Sequence, residues 1–137
     1  MTPDLEGVVR FDQAMVGVDL AAGILADHPI GPMTTYRVGG RAARFVRPVD
    51  RSELEAVAAG VASAGIPVLV VGRGSNLLVA DGGFGGLALQ LGQPFEKVRT
   101  EGTTVVAGAG VSLPVLARQT VAESLTGFEW AVGVPGS

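Results

Sequence analysis

Between Val70 and Gly86 the chain reads VVGRGSNLLVADGGFGG, a stretch with six glycines placed directly behind the apolar run IPVLVV (Ile66–Val71). A glycine-rich turn after a strand can present successive backbone N–H groups to a phosphate. Gly72 and Gly74 permit positive φ and close approach of a ligand to the backbone. Ser75 and Asn76 add side-chain donors. This is not a dinucleotide-binding fingerprint, because position 77 is Leu where a third glycine would stand, and NLLVAD (Asn76–Asp81) reads as a strand entry rather than a helix start. No Gly-Lys-Ser/Thr follows, so a Walker loop is excluded as well. Taken alone, the stretch is either an anion nest or a tight hairpin with no ligand. Two further glycine-rich loops bear on that choice: AGAGVSLPVLA (Ala107–Ala117) again follows an apolar strand, and GVPGS (Gly133–Ser137) has little to pack. Three such loops in a small domain are structurally costly unless they converge. A long, flat, diphosphate-bearing ligand held mainly by backbone accounts for all three.

The elements that must position these loops are readable in part. Residues 1–30 read least well and are expected to form a poorly defined arm, with MVGVDLAAGIL (Met15–Leu25) either a short helix or extended. His28 precedes Pro29, which disfavours helix there, and reads as surface decoration. Residues 34–50 are strand-like, with a turn or bulge at Gly39-Gly40. Ser52 and Glu55 have capping-box spacing, and Leu54, Val57, Ala58 and Val61 share one helical face. Gly65 suits the position just past the helix end, and Pro67 blocks continuation. Val68–Val71 is a continuous apolar run, as expected of a strand covered on both faces. Residues 43–71 therefore read as strand, helix, strand in a parallel crossover. Strands are expected at Gly86–Leu91 and Thr103–Gly110, with another near Lys97–Arg99. A second helix is expected over Leu113–Glu123, capped by Ser112, with Pro114 in its first turn, a buried face of Leu113, Leu116, Ala117, Thr120 and Val121, and Gly127 as its end. Residues 127–137 are expected to form no regular element. The elements read as a turn-rich α/β or α+β fold in one domain.

Composition narrows the function. The chain has 137 residues, 47% of them hydrophobic, with a net charge of −3, which argues for a folded core. Arg37, Arg41, Arg44, Arg47 and Arg51 cluster loosely, as solvated strand ends or as partners of phosphate. No basic stripe is interleaved with aromatics, so nucleic acid is not an expected partner. There is no cysteine, which excludes a thiolate site and a disulfide framework, and a lone histidine does not make a zinc site of the usual kind. No leader-like segment or apolar run of bilayer length is visible, and the expected location is the cytoplasm.

TTYRVGG (34–40), VLVVGRGSNLLVAD (68–81), GAGVSLPVLA (108–117) and GFEWAVGVPGS (127–137) come in an order and spacing that resembles the UDP-N-acetylenolpyruvoylglucosamine reductase (MurB) family of bacterial cell-wall enzymes. The resemblance covers roughly residues 30–137. It implies an α+β FAD-binding fold of the vanillyl-alcohol-oxidase (PCMH) type in residues 31–137, incomplete here and without the substrate domain. It also implies FAD as cofactor, NADPH as hydride donor, and UDP-N-acetylglucosamine-enolpyruvate as substrate, reduced to UDP-N-acetylmuramate in a monomeric enzyme. By the same resemblance Val71, Gly72, Arg73, Gly74, Ser75, Asn76 and Leu77 hold the pyrophosphate region and approach the flavin. Ala109 and Gly110 support the same cleft, and Val134, Pro135, Gly136 and Ser137 line its other side. The Arg73 side chain is expected to be dispensable. The family's proton-donating serine, its carboxylate-binding arginine and a late glutamate all fall beyond GVPGS. No catalytic residue is therefore expected among residues 1–137, which read as the N-terminal portion of a longer enzyme, inactive alone. Two alternatives stand beside this: another FAD-linked oxidoreductase of the same superfamily, and a non-catalytic nucleotide-binding module.

Overall fold

The computed structural model describes residues 4–134. Its longest helix, α2 (Arg51–Ala64), starts at Asp50, whose backbone is extended (φ −151°, ψ 178°) and whose carboxylate accepts the Glu53 N–H at 2.9 Å. Glu53 reaches back, accepting from Val49 N–H at 2.9 Å and from Ala21 N–H at 2.8 Å. The capping box is thus Asp50–Glu53 rather than the expected Ser52–Glu55. Two capping registers overlap in this sequence. The earlier one wins because Glu53 satisfies the Val49 N–H beside the cap and the distant Ala21 N–H, while the Ser52 hydroxyl donates to Asp50 at 2.7 Å. The helix ends as expected at Gly65, left-handed at φ 65°.

Residues 4–30, expected from the sequence to be an arm, carry a helix and a strand. Asp4 caps α1 (Leu5–Ala14) by accepting from the Gly7 N–H at 2.9 Å. Val8 and Phe11 of α1 and the following Met15 are buried against α2. After a turn comes β1 (Ile24–Pro29), antiparallel to β2 (Arg41–Val46). Asp12 and Arg44 form an ion pair that ties α1 to β2.

The sheet order is β1-β2-β4-β3, with β3 (Val68–Val70) and β4 (Phe84–Leu89). The strand–helix–strand crossover is present: β2 and β3 both run parallel to β4, which inserts between them. The apolar run 68–71, however, is an edge strand and not a strand covered on both faces, since Val70 is 66% exposed. The doubly covered strand is β4, where Leu87, Ala88 and Leu89 are all buried. Alternation along it divides the core. Leu87 and Leu89 pack with Phe11, Val46 and Val57 under the helices. Ala88 packs with Ile30, Ala42, Phe45, Val71 and Val79 on the opposite face. Among the described residues no helix packs on that second face; the glycine loop and a 3-10 turn at Gly31–Met33 do.

The remaining elements form a smaller unit. A hairpin joins β5 (Val98–Glu101) to β6 (Thr104–Ala107) through Gly102 at φ 60°. Next is α3 (Leu113–Ala122), which buries Leu116, Ala117 and Thr120 but leaves Val121 52% exposed. Ser112 occupies the cap position without a side-chain bond. The helix stops before Ser124, left-handed at φ 61°, and so ends short of Gly127. Residues 129–133, expected to be irregular, form a 3-10 turn (Glu129–Gly133) packed on α3. The architecture is α+β.

Candidate functional site

The loop from Val71 to Gly83 contains no strand; the expected strand entry at Asn76–Asp81 is irregular backbone. Its start is fixed by the ladder, where the Val71 N–H donates to Leu89 O at 2.8 Å. Its middle is fixed by a crossing chain. Gly74 is left-handed at φ 69°, and a Cβ there would lie 2.4 Å from Met33 O and 2.7 Å from Thr34 Cα. The Thr35 N–H donates to Gly74 O at 3.0 Å. Buried Thr34 organises that crossing turn, its hydroxyl donating to Gly31 O at 2.9 Å and accepting from the Arg37 N–H at 3.2 Å. Further on, the Gly40 N–H donates to Ala80 O at 2.9 Å. The segments TTYRVGG and GRGSNLL are therefore one structural unit, although they start at residues 34 and 72.

Among the described residues no acceptor meets the N–H groups of Gly72, Gly74, Ser75 or Asn76. Several donors close together without protein acceptors are the raw material of an anion nest. The second glycine loop comes alongside. Gly108 donates to Lys97 O at 2.8 Å and Gly110 to Phe95 O at 3.0 Å. A Cβ at Gly108 would lie 2.0 Å from Phe95 O, so only glycine lets this loop lie so close to the neighbouring chain.

Between the two loops lies a cleft of about 70 Å³, lined by Val70, Val71, Gly72, Arg73, Gln90, Leu91, Glu96, Ala109 and Gly110. The structure thus brings together Val71, Gly72, Arg73, Ala109 and Gly110. It places Gly74 beneath the loop against Met33 and Thr34, Ser75 and Asn76 on the exposed shoulder, and Leu77 against the second core. Val134 follows the 3-10 turn and does not line the cleft. Pro135, Gly136 and Ser137 lie outside the described residues.

Gln90 has no mark in the sequence. Its Nε2 donates to Gly72 O at 3.0 Å, and its Oε1 accepts from Arg47 Nη2. A polar residue just past a strand that leads back to the loop is the only signal that could have found it. His28 stacks on Phe45 at 4.3 Å between ring centroids. Burial, then the charges of Arg41 and Arg47, hold its pKa below the ordinary 6.5.

The cleft is smaller than the ~300–1,000 Å³ of a complete small-molecule pocket. Gly72, whose N–H meets no protein acceptor among the described residues, and the cationic Arg73 share one wall. Glu96 is exposed on the other wall. Among the described residues no group of three or more His, Cys, Asp or Glu could hold a metal ion, and no helix is long and apolar enough to cross a membrane.

Residues 42–137 match the family described as "FAD binding domain". The UDP-N-acetylenolpyruvoylglucosamine reductase of Desulforamulus reducens is 41% identical over 114 residues, covering 83% of this chain and 38% of that protein. The protein of the same name in Azorhizobium caulinodans is 41% identical over 119 residues, again 38% of its length. That of Paramagnetospirillum magneticum is 44% identical over 111 residues, 36% of its length. The crystal structure of UDP-N-acetylenolpyruvylglucosamine reductase (MurB) from Thermus caldophilus superposes with a TM-score of 0.63 at 28% identity, over 86% of this chain and 40% of that one. The chain thus spans less than half the length of the relatives it matches. Its fold is that of the FAD-binding domain of the vanillyl-alcohol-oxidase type.

Proposed function

We propose that this chain, which belongs to the FAD binding domain family, holds FAD by its diphosphate in the cleft between the Val71–Leu77 and Ala109–Gly110 loops. The observation that carries this reading is the meeting of Val71, Gly72, Arg73, Ala109 and Gly110 around one hollow. Gly72, on the cleft wall with no protein acceptor for its N–H, is assigned to the anion by its place; Gly74, Ser75, Asn76 and Leu77 are assigned to the same ligand by family resemblance. Gly74 keeps its shoulder in place, and Ala109 and Gly110 close the opposite wall. Val134 and residues 135–137 are assigned to the far side of the same ligand by family resemblance. The binding unit is placed in residues 31–137, with α1 and β1 bracing its sheet.

The activity follows from the relatives' names. The chain is read as the FAD-binding part of a reductase that converts UDP-N-acetylglucosamine-enolpyruvate to UDP-N-acetylmuramate with NADPH. The location is cytoplasmic, the enzyme a monomer, and the role is in peptidoglycan synthesis, hence cell shape and division. Flavin supplies the hydride transfer when bound. The residues here supply binding and orientation, and none of them is assigned the proton transfer. The test is spectroscopic. Protein isolated from its source should show flavin absorption that bleaches with NADPH and recovers when the enolpyruvyl UDP-sugar is added. Colourless protein indifferent to added FAD contradicts the reading; flavin that ignores the UDP-sugar points to another oxidoreductase of the superfamily.

A further inference from the structure

Beyond Val71 the glycine loop leaves the sheet, and the β3–β4 ladder ends with the Val71 N–H on Leu89 O. The Gly72 carbonyl, outside the ladder, accepts from the Gln90 side chain, which follows directly on β4. The Gln90 backbone is itself held, its N–H donating to Val46 O at 3.1 Å. Its amide has one sensible orientation. Arg47 is a donor only, so it takes Oε1 and turns Nε2 toward Gly72. Arg47 is steadied in turn over the Phe45 ring, 5.9 Å from its centroid. The peptide bond is planar and trans, so fixing the Gly72 oxygen also fixes the direction of the Arg73 N–H.

We propose that Gln90 is a positioning residue. Locked by Arg47, its amide sets the Gly72–Arg73 peptide plane and pre-orders the glycine loop before any ligand arrives. Its consequence for affinity rests on the cofactor reading above; its consequence for the loop does not. A loop already in its binding conformation avoids the ordering cost on association. The identity of the side chain matters. Glu at this position keeps a partner for Arg47 but puts carboxylate oxygen against carbonyl oxygen.

The test is amide exchange by NMR on the ligand-free chain, comparing wild type with Gln90→Glu. The reporters are Val71 N–H and Thr35 N–H, which bond to Leu89 O and Gly74 O, with Leu87 N–H, bonded to Pro67 O, as the control inside the sheet. The expected result is exchange about tenfold faster at Val71 and Thr35, the equilibrium worth of one net hydrogen bond, with Leu87 unchanged. Arg47→Met, which frees the amide to flip, should give the same pattern more weakly. Unchanged exchange at Val71 and Thr35 overturns the proposal, and so does a parallel rise at Leu87, which marks general loosening. An FAD titration separates the two claims. Weaker binding by Gln90→Glu, by about tenfold on the same scale, extends the proposal to the ligand. A wild-type chain that binds no FAD sinks the cofactor reading and leaves the exchange result standing.

Discussion

The backbone N–H of Thr35 donates to the carbonyl oxygen of Gly74 at 3.0 Å, and this bond joins two glycine-containing segments into one shoulder of the cleft. Gly74 thereby has a structural duty as well as a place in the binding loop. A side chain there meets the Met33 carbonyl and is forced to a left-handed φ. Gly74→Ala is expected to destabilise the fold by at least about 1–3 kcal/mol, from backbone strain alone. Urea unfolding measures this. A wild-type midpoint would show that the loop does not lie on Thr34.

The integration of the first helix gives a second expectation. Phe11 is wholly buried, beside Met15, Val57 and Leu87. Phe11→Ala should cost about 3–5 kcal/mol by leaving a cavity in the main core. A loss below about 1 kcal/mol, within the range of ordinary surface changes, would mean that α1 does not dock on α2.

The two capping registers are separable by mutation. Asp50→Ala removes the acceptor of the Glu53 N–H and should lower Tm, whereas Ser52→Ala removes only a hydroxyl that donates to Asp50. Hydrogen bonds from Glu53 and Ser52 hold the Asp50 carboxyl below its ordinary range. Its contribution is present above the unfolded value and lost as pH falls through the folded one. Equal Tm losses in the two variants would return the cap to Ser52.

His28 gives a pH dependence of stability. Its folded pKa lies below the ordinary 6.5. Between the two values the unfolded chain binds more protons, so stability rises with pH there. The contribution is full above about pH 6.5 and is lost as pH falls through that value toward the folded pKa. His28→Phe keeps an aromatic ring on Phe45 and should flatten denaturation midpoints across this window. An unchanged slope would assign the dependence to other groups.

What was legible followed from local pattern. The apolar face of α2, its glycine stop, the hairpin strands and the second helix are all set by short-range period and turn chemistry. The edge position of β3 was not legible, because a run of valines reads alike whether β4 flanks it on one side or strands flank it on both. α1 was missed although Val8, Phe11 and Met15 stand at helical spacing behind Asp4; the glycines and polar residues around them diluted the signal. Within the site, the glycine loops were visible as composition. Their anchoring was not, because Thr34, Thr35 and Gln90 act through contacts that cross 18 to 40 residues of chain.

The most direct measurement is an FAD titration of the isotopically labelled chain, read by backbone amide shifts. Saturable shifts centred on Gly72–Asn76 and Ala109–Gly110 are the expected result. No shift at millimolar FAD, or shifts confined to surfaces away from these two loops, would contradict diphosphate binding in the cleft.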